Sequence, residues 1–181
     1  MPPIAVKNYK GVAVEWVKNE ASAENEDMAM REAILDQVLA ANDIQVPQNL
    51  VDHEITRMVM ELKHKKKYGS MMFGGYSDFM EGELADPRER FREEAFKLVK
   101  TRIVLEGIIA AENFEVSKAE LEEEAKVIAV RQQLPVGMVK EFLGEDLELL
   151  RDDVLVRKAM DLVCASAVIK EETLLPPVFQ R

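Results

Sequence analysis

The chain has 181 residues, 48% of them hydrophobic and 32% charged, with 24 Lys and Arg against 34 Asp and Glu and a net charge of −10. Such a composition suits a soluble protein of one medium domain or two very small ones, and the acid excess argues against general affinity for nucleic acid or anionic membrane. A lone Cys164 excludes an internal disulfide, no apolar run reaches spanning length, and the first residues lack a signal-peptide core, so a cytoplasmic location is expected.

In chain order, Ile4 and Val6, then Val12, Val14 and Trp16, alternate about Asn8–Gly11. Period two around a glycine-bearing turn predicts two short strands or an extended arm, which must lean on other structure. From about Ser22 the period turns helical. A first helix is expected from Ala23 to Asn42 with Ile34, Leu35, Val38 and Leu39 on one stripe. Pro47 pushes the residue before it out of helical geometry, and a second helix is expected from Gln48 to Lys67. Its stripe is Val51, Ile55, Met58, Val59 and Leu62, which puts Met60 on the opposite, exposed face. The basic run Lys63, His64, Lys65, Lys66 and Lys67 reads as a partner for the C-terminal dipole of that helix.

Asp86 and Pro87 form an N-cap and first-turn pair opening a third helix to about Asn113. Two stripes share it, Phe91, Ala95, Leu98, Leu105 and Ile109 beside Phe96, Val99 and Ile103. Val104 and Ile108 lie outside both, so the second half is apolar nearly all round, as in a buried spine. Ser117 and Glu120 supply a capping box for a fourth helix to about Gln133. A short helix over Val136–Leu143 closed by Gly144 comes next, and then a last helix over Asp146–Ala165. A short extended segment leads from there to a tail ended by Pro176-Pro177. The fold class is therefore mainly α with a short β or extended N-terminal segment. Residues 1–20 are a strand-like linker, 21–172 a helical domain and 173–181 a flexible tail.

No catalytic constellation emerges, and neither a metal site nor a cofactor is expected. His53 and His64 lie on one helix about three turns apart and read as solvated. Cys164 reads as a small packed hydrophobe. The acids Glu120, Glu122, Glu123 and Glu124 read as a solvated face. "FGGY" lacks the residues of a phosphate loop.

The passage "ANDIQVPQNLVDHEI" resembles the opening of the C-terminal domain of trigger factor, the bacterial ribosome-associated chaperone. "FREEAFKLVKTRIVLEGIIAAENFEVSKAELEEEAKVIA" is similar to that family's spine helix and its continuation. "VKEFL" and "LRDDVLVRKAMDLVCASAVIKEE" resemble its last helices and closing strand. The resemblance covers about Met28 to Glu172. It implies an elongated multi-helix domain with protruding helical arms that cradles unfolded or nascent polypeptide without ATP. No Gly-Phe-Arg-x-Gly-Lys ribosome-docking signature occurs here, residues 6–18 resemble the linker toward the family's isomerase domain, and 181 residues leave no room for that domain. Ribosome docking and prolyl isomerisation, the family's enzymatic activity, are therefore not expected of this chain. Exposed apolar arms are compatible with a homodimer. Two alternatives are a helical adaptor for one folded partner and a periplasmic parvulin-type chaperone.

Between the second and third helices, "HKKKYGSMMFGGYSDFMEGELADP" combines loop-forming glycines with Met71, Met72, Phe73, Tyr76, Phe79 and Met80. A connecting loop runs over the surface, and methionine suits surfaces that accept many partners. These six residues, with Met60, are the candidate client-binding set. Folding back onto the domain's own apolar face and a tip without a role are the competing readings.

Overall fold

A computed structural model describes residues 4–17, 23–72 and 87–172. In order the elements are β1 (Ala13–Val17), α1 (Ala23–Ala41), α2 (Gln48–Met72), α3 (Pro87–Arg90), α4 (Arg92–Glu112), α5 (Lys118–Gln132), α6 (Val136–Leu143), a 3-10 turn (Glu148–Leu150), α7 (Arg151–Ser166) and β2 (Val168–Glu172). The chain is mainly helical, as its periodicity requires.

It divides into two compact units. Unit 1 takes its residues from both ends of the chain, up to Asn42 and from Val104 onward, and unit 2 is the contiguous Asp43–Ile103.

In unit 1 the second of the two N-terminal alternatives forms, an arm that leans on other structure rather than two short strands. Only Ala13–Val17 is a strand, and it pairs in parallel with β2 from the other end of the sequence, Ala13 opposite Val168 and Val17 opposite Glu172. The reason lies in what holds residues 4–10. Val6 is buried beside Gly107 of α4, where an added Cβ would sit 2.5 Å from Val6 Cγ2 and 2.6 Å from the Ile4 carbonyl oxygen. The Asn42 side chain accepts from the backbone N–H of Lys7 (3.3 Å) and Asn8 (3.4 Å) and donates to the carbonyls of Asn8 (3.0 Å) and Val38 (2.9 Å). A segment whose backbone is already satisfied this way has no need of a hairpin partner. Gly11, at φ +71, turns the chain into β1 and donates its N–H to the Ser166 carbonyl at 3.1 Å. Tyr9 donates to Glu112 at 2.6 Å, and Lys10 pairs with the same carboxylate at 2.5 Å.

The capping box forms as the sequence requires. Ser117 Oγ accepts from Glu120 N–H (3.3 Å), and Glu120 accepts from Ser117 N–H (2.8 Å). Behind it α5, α6 and the start of α7 bury Leu121, Ala125, Ala129, Val139, Leu147, Leu150 and Val154 as one core. The last helix starts later than expected, because Leu147 adopts a left-handed φ of +56 and the next three residues form the 3-10 turn.

Unit 2 packs α2 against α4 through Val51, Ile55, Ala95 and Val99, with Met58, Val59 and Ile103 at the edges. Helix α2 runs past Lys67 to Met72, so the lysine run stands before the last turn, which holds no basic residue. The dipole explanation of that run therefore fails, since the dipole acts within the final turn. Phe91 interrupts the expected third helix between α3 and α4, and its carbonyl accepts from Ala95 N–H at 2.8 Å. The two stripes expected for that helix hold only in part in its first half, while its second half is the buried spine expected. Phe96 and Leu98 are exposed, whereas Val104 and Ile108, outside both stripes, are fully buried.

Candidate functional site

Two arrangements of exposed apolar side chains stand out, one in each unit. In unit 1, α5, α6 and the 3-10 turn pack on one another, and each then has apolar residues left over. Val130 is 80% exposed, Phe142 77% and Leu149 70%, with Val127, Leu134, Val136 and Met138 also open to solvent. Helix α6 shows how this arises: five of its eight residues, "VGMVKEFL", are large and apolar, yet only Val139 is buried. A helix that short cannot turn so many side chains to one core. That excess was the available signal in the sequence, and the loop-centred candidate set missed it.

Around these residues the acids are engaged rather than simply solvated. Glu120 pairs with Lys158 at 2.6 Å, Glu122 with Lys140 at 3.6 Å, Glu123 with Lys126 at 2.9 Å, and Glu124 with Arg157. The Lys158 ammonium, followed by the Ser117 backbone and hydroxyl, holds the Glu120 carboxyl down to about 2.

In unit 2 a cleft of about 320 Å³ opens between α2 and the α3–α4 segment. Met58, Leu62, Phe91 and Leu98 line it with apolar surface, and Arg57, Glu61, Lys65, Arg90 and Glu94 supply the charges. Beneath the rim Glu54 is 3% exposed and accepts from Arg57 Nε (3.0 Å) and Nη2 (2.5 Å), with Arg102 at 3.8 Å. The Arg57 hydrogen bond holds the Glu54 carboxyl below its ordinary value against the opposing pull of burial. Glu61 bridges Arg57 (3.5 Å) and Lys65 (3.0 Å). Arg90 lies 5.4 Å from the Phe91 ring centre.

Of the candidate client-binding residues, Met60 is 57% exposed on α2, on the side its position in the helix requires. Met71 and Met72 belong by backbone to the end of α2 rather than to a loop. Phe73, Tyr76, Phe79 and Met80 lie outside the described residues, as do Asp86 and the 173–181 tail. His53 and His64 are exposed. Cys164 is half-buried, and burial pushes its thiol above the usual range. Among the described residues no helix is long and apolar enough to cross a membrane, and no group of three or more His, Cys, Asp or Glu could hold a metal.

The fold and these surfaces define a class: a helical protein, clasped by one pair of parallel strands, that leaves apolar side chains in water on ordered helices. A model described as the C-terminus of bacterial trigger factor protein matches residues 14–165, and the chain belongs to that family. It is 31% identical to trigger factor of Caldicellulosiruptor saccharolyticus over 158 residues, covering 86% of this chain and 35% of the relative. With trigger factor of Bacillus subtilis the identity is 34% over 145 residues, covering 80% and 34%. The chain thus spans about a third of the length of the curated relatives it matches. A solved chain from structures of, and interactions between, domains of trigger factor from Thermotoga maritima matches with a TM-score of 0.54 at 22% identity, covering 90% of this chain and 93% of that one. That likeness speaks to the fold.

Proposed function

We propose that this chain is a chaperone module that holds unfolded or nascent polypeptide on exposed apolar surfaces, without nucleotide. The observation that carries the reading is the exposure of Val130, Phe142 and Leu149 on regular elements whose inward residues form a complete core. Large apolar side chains held in water on ordered elements mark interaction sites when they concentrate in one region. Each contact of this kind is weak, and strength comes from several engaging one client chain. Met60 and the six residues Met71, Met72, Phe73, Tyr76, Phe79 and Met80 belong to the same proposal as a second client surface. The cytoplasm is the compartment proposed for this activity.

The test is light scattering of an aggregating unfolded client. Val130→Ser with Phe142→Ser should at least halve the suppression at equal concentration while leaving the melting temperature nearly unchanged, and ATP should make no difference. Deleting Ser70 to Met80 should weaken suppression in the same way. Binding to one folded protein and to no unfolded client would instead establish the adaptor.

A further inference from the structure

We infer that residues 4–10 are the displaceable occupant of a peptide site in unit 1. That site takes an unfolded segment with a β-branched apolar residue followed by hydrogen-bond donors and a lysine. The inference is independent of the exposed apolar faces invoked for chaperone activity.

Part of the site serves backbone rather than a particular sequence. Asn42 is 7% exposed, and its amide bonds the N–H groups of Lys7 and Asn8, the carbonyl of Asn8 and the carbonyl of Val38. The last bond fixes the side chain on α1, and the other three hold the arm. Without a segment there, a largely buried amide would lose three of its four bonds. Gly107, lacking a side chain, lets the Ile4 carbonyl and Val6 approach α4 closely.

Selection by side chain comes at three further points. Val6 fills the space beside Gly107. Asn8 Nδ2 donates to the Ala41 carbonyl at the end of α1 (3.1 Å), and Tyr9 and Lys10 both reach Glu112, the last residue of α4. Neither helix has a basic residue in its own last turn. The occupant therefore supplies the donors and the cation that these two negative dipole ends attract.

The occupant is lightly held and hinged. Val6 is the one buried side chain among residues 4–10, and the N–H bonds to Asn42, at 3.3 and 3.4 Å, lie at the long limit of hydrogen-bond geometry. Gly11 follows at φ +71 with open space where a Cβ would stand. Its bond to Ser166 and the β1–β2 pairing lie beyond the arm, so residues 4–10 can leave while the clasp stays.

The experiment uses the full chain and a labelled peptide of residues 4–10, Ile-Ala-Val-Lys-Asn-Tyr-Lys, followed by fluorescence anisotropy. Val6→Asp puts a charge in the apolar space and frees the arm. Peptide affinity should then rise about tenfold or more over wild type, because a tethered competitor is removed. Against the Val6→Asp chain, the peptide N-methylated at the residue 7 and 8 amides should bind about tenfold more weakly. Adding Glu112→Gln should weaken the unmethylated peptide about threefold.

Circular dichroism melts check that Val6→Asp folds. If it does not, hydrogen exchange in the wild-type chain decides: the Lys7 and Asn8 amides should exchange about a hundredfold faster than that of Ala125 in the α5 core. A folded Val6→Asp chain with no gain in peptide affinity, or Lys7 and Asn8 amides as slow as Ala125, overturns the inference and makes the arm a fixed part of the fold. Equal binding of the N-methylated peptide overturns it as well. A mixed dimer of wild-type and Val6→Asp chains, with no binding of free peptide, would assign the site to the arm of a second copy instead. The chaperone reading stands or falls on light scattering alone.

Discussion

Unit 1 and unit 2 solve the same problem, covering amphipathic helices, by different means. Unit 2 is one contiguous stretch whose two long helices pack locally through Val51, Ile55, Ala95 and Val99. Unit 1 depends on partners far apart in sequence: β1 on β2, Asn42 on Asn8, Gly107 on Val6. Charge differs too, since unit 1 holds thirteen Lys and Arg against twenty-three Asp and Glu and unit 2 holds eleven of each. A contiguous unit can thus complete its core from neighbours in sequence, whereas a unit drawn from both ends of the chain cannot.

The comparison can be broken most severely at the unit 1 core. Leu121→Ala empties a fully buried site and should cost about 2–5 kcal/mol. A urea titration followed by far-UV circular dichroism measures it. Gly107→Ala comes next, since the new methyl would overlap Val6 and the Ile4 carbonyl. A loss of about 1–3 kcal/mol is expected from the same titration. If the loss were negligible, residues 4–6 would not be fixed against α4. Ser117→Ala removes the N-cap acceptor of α5 and should cost about 1 kcal/mol in thermal unfolding.

The smallest effect is the most diagnostic of charge. Glu120, Glu112 and Glu54 all have folded-state values below the ordinary carboxylate value, so each contributes stability above it that is lost as pH falls. For Glu120 the loss should run from its ordinary value of 4.5 down to about 2. Glu120→Gln should flatten the acid limb of a stability-against-pH curve over that window and leave its neutral region close to unchanged in shape.

Much of this architecture was legible in the sequence. The capping box at Ser117, the α6 boundaries and the exposed Met60 come from local chemistry and helix period alone, and the order of motifs pointed to the family. The illegible part depends on tertiary partners. Ile4 and Val6 alternate like a strand, but Gly107 offers them a closer site, and period two cannot distinguish the two outcomes. The lysine run looked terminal because lysines commonly sit there, and the continuation through Gly69 to Met72 was hidden by the glycine. Phe96 and Leu98 are apolar residues at plausible core phases, yet their exposure depends on which side of α4 receives α2. For the candidate site, sticky residues were most conspicuous where glycines surround them. The α6 excess was equally visible but ordinary-looking, because each of its residues is a good core residue taken singly.

The parallel clasp of β1 and β2 also sets an order of events in time. As the chain is made from its N-terminus, Ala13 waits for Val168 before its strand can be paired, while unit 2 and the α5–α6 core can be completed earlier. Until then β1 is an open edge with Val14 uncovered on a growing chain. A protein proposed to shelter unfinished polypeptides thus passes through the same exposed condition during its own synthesis.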